Sequence, residues 1–140
     1  MTAAQPLNLV VDASVLVAYF VPSDAHHSKV LPYWNDLEIG QSRFHIPMLA
    51  VVETAGALYR RSSRIDAVEA IYRLRQLTEQ GSIIQYPLDE MRKRRAVAAA
   101  WQYSLRGADA VYAALADELR LELLTADHDF SNYPKLINLA

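Results

Sequence analysis

The chain alternates short apolar runs with longer segments that mix apolar and polar residues, a pattern typical of strands alternating with helices. The first run, Leu9–Val11, is wholly apolar, as expected of a central parallel strand that is buried on both faces. Four further segments have the composition of strands and are bounded by turn-forming or charged residues. These predicted strands are 43–47, 82–87, 121–127 and 135–139.

The segments between these strands are predicted to be helices. A short helix follows the first strand, with Ser14 as its cap, and Pro47 is well placed to open the third helix. Asp66 is predicted to cap the fourth helix, with Ile65 as its hydrophobic staple and Glu69 as its capping-box partner. The longer predicted helices are 24–37, 48–62, 66–81, 88–105 and 108–120. Strands that alternate with helices indicate a parallel sheet covered on both faces.

Composition restricts the class of protein. The chain has 140 residues, of which 52% are hydrophobic and 21% charged, and this fits one globular domain spanning residues 1–140. It contains no cysteine, so disulfides and cysteine-ligated zinc are excluded. The N-terminus lacks the basic region of a signal peptide, and no apolar stretch reaches the roughly 20 residues of a membrane span. We therefore expect a soluble cytoplasmic protein without membrane attachment.

Four acidic residues lie at positions that could contribute to a ligand-binding site of an α/β fold. Asp12 and Asp127 each follow an apolar strand, at the edge of the sheet where open α/β folds bind ligands. Asp109 begins a helix, and Glu53 lies in a mostly apolar helical segment. Structural roles are open to three of them: Asp109 could cap its helix, Asp127 could serve a turn and Glu53 could lie on a solvated face. Asp12 resists such an explanation, because an unpaired buried carboxylate is strongly unfavourable.

Four segments carry these acids in order along the chain: VVDASVLVAYF, PMLAVVETAGAL, RGADAVYAALADEL and LLTADHDF. Together they resemble the PIN-domain family, and within it the VapC-type toxin ribonucleases of type II toxin–antitoxin systems. The resemblance spans nearly the whole chain. It implies a three-layer α/β/α fold around a central, mainly parallel sheet of about five strands.

The resemblance also implies an acidic active site that binds a metal and is flanked by two small hydroxyl residues. The acidic residues are Asp12, Glu53, Asp109 and Asp127; the hydroxyl residues are Ser14 and Thr125. Carboxylates crowded together repel one another, and a divalent cation relieves that repulsion. Oxygen ligands without cysteine favour Mg²⁺ or Mn²⁺ over zinc, and such an ion promotes in-line displacement at a phosphate.

We therefore interpret the chain as a Mg²⁺- or Mn²⁺-dependent endoribonuclease, the toxin of a toxin–antitoxin pair. Its expected partners are RNA, a cognate antitoxin protein and a second copy of the chain in a homodimer. An alternative within the family is a PIN nuclease of RNA processing that has no antitoxin. Alternatives of other classes are a phosphohydrolase and a non-catalytic binding domain on a similar sheet. A haloacid-dehalogenase-type phosphatase would have an aspartate where Ser14 stands, and the intact set of four acids disfavours a non-catalytic domain.

Two basic clusters could bind RNA phosphates beside an acidic cleft. The first, Arg60, Arg61 and Arg64, follows the Glu53 helix and is the better candidate; the second is the run 92–95. The alternative for both clusters is a solvated helix face. The net charge of −2 provides no overall attraction to nucleic acid, so any such attraction must be local.

Roles are also open for residues beside Asp127 and in the first two helices. Asp129 and His128 could join the acidic site or remain loop residues. The apolar and aromatic residues of the first two helices could form a groove for the antitoxin or fill the core. These residues are Val15, Leu16, Tyr19, Phe20 and Trp34.

Overall fold

The computed structural model describes residues 5–140 and shows a five-stranded, wholly parallel sheet flanked by six α-helices. The strands are β1 (Leu7–Val11), β2 (Ser42–Pro47), β3 (Ile83–Tyr86), β4 (Leu123–Thr125) and β5 (Leu136–Asn138). The helices are α1 (Ala13–Phe20), α2 (His27–Glu38), α3 (Leu49–Arg61), α4 (Arg64–Glu79), α5 (Glu90–Tyr103) and α6 (Gly107–Leu119). The predicted three-layer α/β/α fold is confirmed.

The strand order β3-β2-β1-β4-β5 places β1 at the centre of the sheet. From β1 the chain builds outward through β2 and β3, and it then returns to add β4 and β5 on the other side of β1. Val10 is paired with His45 on one side and with Leu123 on the other. The reversal of strand order therefore falls between β1 and β4, and open α/β sheets bind ligands in the crevice at such a switch point.

The two helical layers explain why β1 is apolar throughout its second half. Helix α1 packs against both α2 and α3, and α3 packs against α4, whereas α5 and α6 form a separate pair that contacts the sheet through α6. Val10 and Val11 are completely buried between these layers, as a strand covered on both faces must be. None of the helices within residues 5–140 combines the length and the apolar character that a membrane crossing requires.

Two predicted helix starts near the sheet edge are wrong. Pro47 does not open α3; it is the last residue of β2, and Met48 precedes the helix. Pro47 fits there because it lies at the end of the strand, where a missing N–H costs little. Ser14 does not cap α1, which has already begun one residue earlier. Its hydroxyl is used instead in the site described below.

The predicted start of α4 is wrong by three residues. Ser63 is the N-cap, and its Oγ accepts a hydrogen bond from the backbone N–H of Asp66 at 3.0 Å. Asp66, Ile65 and Glu69 consequently lie inside the helix, and Asp66 places its carboxylate in the favourable first turn. Two capping patterns overlap here, and the earlier one prevails because it adds almost a full turn of helical hydrogen bonds.

The aromatic residues of α1 and α2 mostly belong to the core. The rings of Tyr19 and Trp34 stack with centroids 3.8 Å apart and an angle of 10° between their planes. Val15, Leu16 and Trp34 are completely buried, whereas Tyr19 and Phe20 are only half-buried. The hypothesis of a partner groove is therefore wrong for Val15, Leu16 and Trp34, which are not available to another chain.

Candidate active site

The four predicted acids line a single open cleft at the switch point of the sheet. Asp12 directly follows β1, and Asp127 lies just beyond the end of β4, so the two strand ends bring them together. Glu53 reaches the same cleft from α3 and Asp109 from the first turn of α6. The cleft has a volume of about 370 Å³. Four elements distant in sequence thus place carboxylates around one space.

Asp12 lies at the bottom of this cleft and is only 4% exposed. Ser14 Oγ donates a hydrogen bond to Asp12 Oδ1 at 2.5 Å, and Thr125 Oγ1 donates to Oδ2 at 3.0 Å. Burial nevertheless raises the pKa of Asp12 to about 7, and the charge of Asp127 acts in the same direction. The anionic form of Asp12 is therefore costly here, and a positive charge in the cleft would stabilise it.

The two hydroxyl groups are themselves held by backbone N–H groups. Ala126 N donates to Ser14 Oγ at 2.9 Å, and Asp127 N donates to Thr125 Oγ1 at 2.9 Å. Because each hydroxyl oxygen accepts one of these bonds, its own proton is directed to the Asp12 carboxylate. Ser14 and Thr125 therefore fix the orientation of Asp12, and the backbone after β4 fixes them.

Asp109 experiences the crowding of charge most directly. Burial is the main cause that raises its pKa to about 6, and the charges of Asp129, Asp127 and Glu53 add to this effect. Arg106 opposes them. Asp109 does not cap its helix, because the N-cap position is occupied by Arg106. A capping role therefore does not explain why an acid stands at this position.

Glu53 is oriented by Tyr112, a residue that the sequence did not single out. Tyr112 Oη donates a hydrogen bond to Glu53 Oε1 at 2.5 Å. Tyr112 is 2% exposed, and burial together with Glu53 raises its pKa, so the phenol stays protonated and can donate. Its position three residues after Asp109 places both side chains on the same face of α6. That spacing is the signal that could have identified it.

The residues around Asp127 divide into lining and non-lining positions. Asp127 Oδ1 also accepts a hydrogen bond from Asp129 N at 3.1 Å and caps the short 3₁₀ helix His128–Phe130. Asp127 thus both stabilises the turn after β4 and lines the cleft. His128 and Asp129 are exposed and do not line the cleft, although the charge of Asp129 reaches Asp109.

The first basic cluster is divided by the structure. Arg60 and Arg61 line the cleft, whereas Arg64 does not. Arg61 Nη2 donates to Asp24 Oδ2 at 2.8 Å and so ties the end of α3 to the segment between α1 and α2. His26 lines the same end of the cleft. The cleft therefore has an acidic end at the sheet and a mixed end near the C-terminus of α3.

The second basic cluster, residues 92–95, lies on α5 and is engaged in ion pairs. Its first and last arginines pair with Glu118 of α6 at 3.1 and 3.0 Å. Its two middle residues pair with Glu90 of α5 at 2.8 and 3.4 Å. None of these residues lines the acidic cleft. Their charges are used to join α5 to α6 and to stabilise the surface of α5.

The donor set of the cleft fits a hard divalent cation. Carboxylates and hydroxyls are oxygen ligands of the kind that Mg²⁺ and Mn²⁺ prefer. Within residues 5–140, no three His, Asp or Glu side chains are placed to hold one ion together.

The family model of the PIN domain matches residues 9–136, so the chain belongs to the PIN-domain family. Among solved structures, the chain is similar to VapC20 of Mycobacterium tuberculosis, described as a sarcin-ricin loop cleaving toxin. The two share 20% identity over 88% of this chain and 92% of that chain, with a TM-score of 0.73. The predicted family is confirmed.

Two further similar structures come from toxin–antitoxin systems. A toxin–antitoxin complex from Klebsiella pneumoniae matches with 20% identity over 94% of this chain and 98% of that chain, with a TM-score of 0.68. VapBC2 of Rickettsia felis, bound to a DNA fragment from its promoter, matches with 12% identity over 94% and 97%, with a TM-score of 0.66. These likenesses show the shared fold. No curated protein sequence matches the chain significantly.

Proposed function

We propose that this PIN-domain protein is a single-domain, Mg²⁺- or Mn²⁺-dependent endoribonuclease and the toxin of a toxin–antitoxin pair. The observation that supports this most strongly is the convergence of Asp12, Glu53, Asp109 and Asp127 on one open cleft at the switch point of the sheet. The cleft is open enough to admit a phosphodiester of a flexible strand. Arg60 and Arg61, which line its far end, offset the repulsion between the acids and a polyanion.

The same four acids are the proposed metal ligands. A bound ion would coordinate a phosphate oxygen and lower the pKa of the attacking water. Ser14 and Thr125 hold the carboxylate of Asp12 in place, and Tyr112 holds that of Glu53. Residues that orient the ligands of a metal in this way raise its affinity. Cleavage would leave a 5′-phosphate and a 3′-hydroxyl, as the family resemblance implies.

An inhibitory antitoxin is the proposed protein partner, and the similar structures include complexes of that kind. A cleft with several carboxylates attracts a cationic side chain, and an arginine from the antitoxin could bridge two of them with its fork of donors. Exposed apolar side chains on α3 and α4, including Val52, Tyr59 and Tyr72, offer contact area for a protein. Such a surface could also form a homodimer interface. Because the proposed substrate is cellular RNA, the proposed location of the protein is the cytoplasm.

The enzymatic proposal is tested with purified protein and a labelled pool of random RNA. We expect cleavage with Mg²⁺ or Mn²⁺, loss of cleavage with EDTA and recovery when Mg²⁺ is added in excess. Cleavage that continues at full rate in EDTA, or in a folded Asp109→Asn variant, would contradict the proposed site.

The toxin proposal is tested by expression in the host. Wild-type protein alone should arrest growth, Asp109→Asn should not, and the product of the adjacent gene should restore growth and co-purify with the toxin. If an active wild-type enzyme is harmless and no neighbour co-purifies, a PIN nuclease of RNA processing becomes the better interpretation.

A further inference from the structure

We propose that Arg60, whose guanidinium lies beside Gly56 in the wall of the cleft, binds an RNA phosphate adjoining the one that is cleaved. Arg60 would then add affinity for the strand beside the acids without touching the reacting atoms. This inference rests on the proposed ribonuclease function and assigns a separate role to one arginine of the first basic cluster.

The placement of Arg60 follows from the face that α3 turns to the cleft. Glu53, Ala57 and Arg60 all line the cleft, and their spacing of four and three residues puts them on one face of the helix. Seven residues separate Glu53 from Arg60, which corresponds to roughly 10 Å along the helix axis. The acidic and basic residues of α3 therefore lie in one row along the wall of the cleft, with Arg60 nearer the C-terminal end of the helix.

The Arg60 side chain packs beside Gly56, which has no side chain of its own. A β-carbon at Gly56 would lie 3.3 Å from Arg60 Nη1, and no other heavy atom outside the local helix backbone would come within 4 Å of it. The guanidinium of Arg60 is thus folded back along α3 toward Glu53, in the direction in which helical side chains lean. A β-carbon at position 56 would require this group to shift by a few tenths of an ångström.

The neighbouring arginines are used differently. Arg61 donates to Asp24 Oδ2, while the other oxygen of Asp24 accepts from His26 N at 2.8 Å. Although burial acts in the opposite direction, these hydrogen bonds lower the pKa of Asp24, so the pair with Arg61 stays ionised. Arg64 lies outside the cleft. Among residues 5–140, Arg60 has no carboxylate within 4.0 Å, which distinguishes it from Arg61.

A phosphate is the ligand that suits this arrangement. The guanidinium presents a planar fork of donors that matches two oxygens of a phosphate and keeps its charge at any working pH. A polyanion entering the cleft meets four carboxylates, and a cation without a carboxylate partner farther along the same wall compensates part of that repulsion. Arg60 does not pair with the acids themselves, so its contribution is to affinity.

The test compares Arg60→Ala and Arg60→Lys with Arg64→Ala, a matched control that removes an exposed arginine outside the cleft. Binding of labelled single-stranded random RNA is measured in the Asp109→Asn background with Mg²⁺, so that the RNA stays intact. Arg60→Ala should weaken binding about tenfold and reduce the slope of log K against log salt by about 0.7, the value for one phosphate contact on a single strand. Arg60→Lys should keep the salt slope, and Arg64→Ala should change binding less than about twofold.

In the active background, Arg60→Ala should raise KM about tenfold and change kcat less than about twofold, as expected for lost binding rather than lost chemistry. Arg60→Ala with the binding, salt slope and KM of Arg64→Ala would overturn this inference while wild-type cleavage still supports the proposed function. A wild-type protein that neither binds nor cuts RNA in Mg²⁺ would overturn both.

Discussion

Glu53 in the cleft and Asp117 near the C-terminal end of α6 both accept hydrogen bonds from tyrosine hydroxyls. Asp117 receives one on each oxygen, from Tyr103 at 2.8 Å and from Tyr133 at 2.7 Å. Glu53 receives one, from Tyr112 at 2.5 Å on Oε1, and its carboxylate borders an open cleft. Tyrosine hydroxyls therefore bind both oxygens of Asp117, whereas a single tyrosine hydroxyl orients Glu53 and leaves its second oxygen free of a tyrosine donor.

The two regions differ in whether their carboxylates already have partners within the protein. Tyr103 comes from α5 and Tyr133 from the segment before β5, so Asp117 joins three parts of the chain. Burial and Asp117 raise the pKa of both tyrosines, which keeps them protonated as donors. In the cleft, by contrast, burial and neighbouring carboxylates raise the pKa values of Asp12 and Asp109. The first region stabilises the fold, whereas in the second the ionised form of two carboxylates is unfavourable, mainly because they are buried.

The largest contrast should come from removing one charge in each region. Asp109→Asn should reduce RNA cleavage roughly a hundredfold or more, because loss of a ligand should cost at least as much as loss of a residue that orients one. The same change removes repulsion from Asp127 and Glu53, so the melting temperature of the metal-free protein should stay equal or rise. Asp117→Asn should show the reverse: a lower melting temperature and nearly unchanged specific activity. Cleavage assays and thermal melts on both variants test this crossed pattern, which equal activity losses would refute.

The next effect concerns pH in metal-free protein. The folded pKa of Asp12 is about 7, above its ordinary value of 3.8, so the folded state binds the proton more tightly than the unfolded state. The stability that this adds is complete below the ordinary pKa and is lost as pH rises through about 7. Across this range the free energy of unfolding should fall by on the order of 4 kcal/mol more in wild type than in Asp12→Asn. Denaturant titrations in EDTA at several pH values measure the difference, and parallel pH curves for the two proteins would contradict the burial of an ionisable Asp12.

How much of this could be predicted from sequence depends on whether a feature is local. The apolar run Leu9–Val11 and the position of Asp12 directly after it indicate both a central strand and an acid at its carboxyl end. The same reasoning applies to Asp127 after β4. Once the sheet is parallel, the ends of its strands share one edge, so the meeting of these acids follows from their places in the chain.

The features that were missed depend on partners distant in sequence. The partner of Tyr112 is Glu53, 59 residues away. The spacing from Asp109 places Tyr112 on the cleft face of α6 but does not indicate which carboxylate it contacts. Arg60, Arg61 and Arg64 look alike in sequence. The structure separates them, because Arg64 lies outside the cleft and Arg61 contacts Asp24. The start of α4 was predicted wrongly for another reason, because two capping patterns overlap in the sequence and each one alone predicts a helix start.

A smaller effect is expected at the structural carboxylate. Tyr133→Phe removes one hydroxyl donor from Asp117 while keeping the ring, which is 3% exposed and packs edge-on against Tyr103. The free energy of unfolding should fall by about 2 kcal/mol, the usual cost of losing a hydrogen bond to a charged group. Cleavage of RNA at a temperature well below the melting point should be unchanged. Urea titration and a cleavage assay on the same preparation check both parts, and a large loss of activity in a fully folded variant would assign Asp117 a role beyond stability.

Tyr112→Phe is the matched change in the cleft, and its effect should appear in metal binding rather than in stability. Glu53 is half-buried and can turn toward water when the phenol is removed, so the free energy of unfolding should change by less than about 1 kcal/mol. Glu53 would then no longer be held in one orientation, and the Mg²⁺ concentration for half-maximal cleavage should rise about tenfold. At saturating Mg²⁺ the rate should largely recover, because the carboxylate itself remains. The rise in melting temperature on adding Mg²⁺ should shift to higher concentrations by the same factor, which provides a measurement independent of cleavage. An unchanged Mg²⁺ dependence in Tyr112→Phe would show that Tyr112 belongs with Tyr103 and Tyr133 as a purely structural donor.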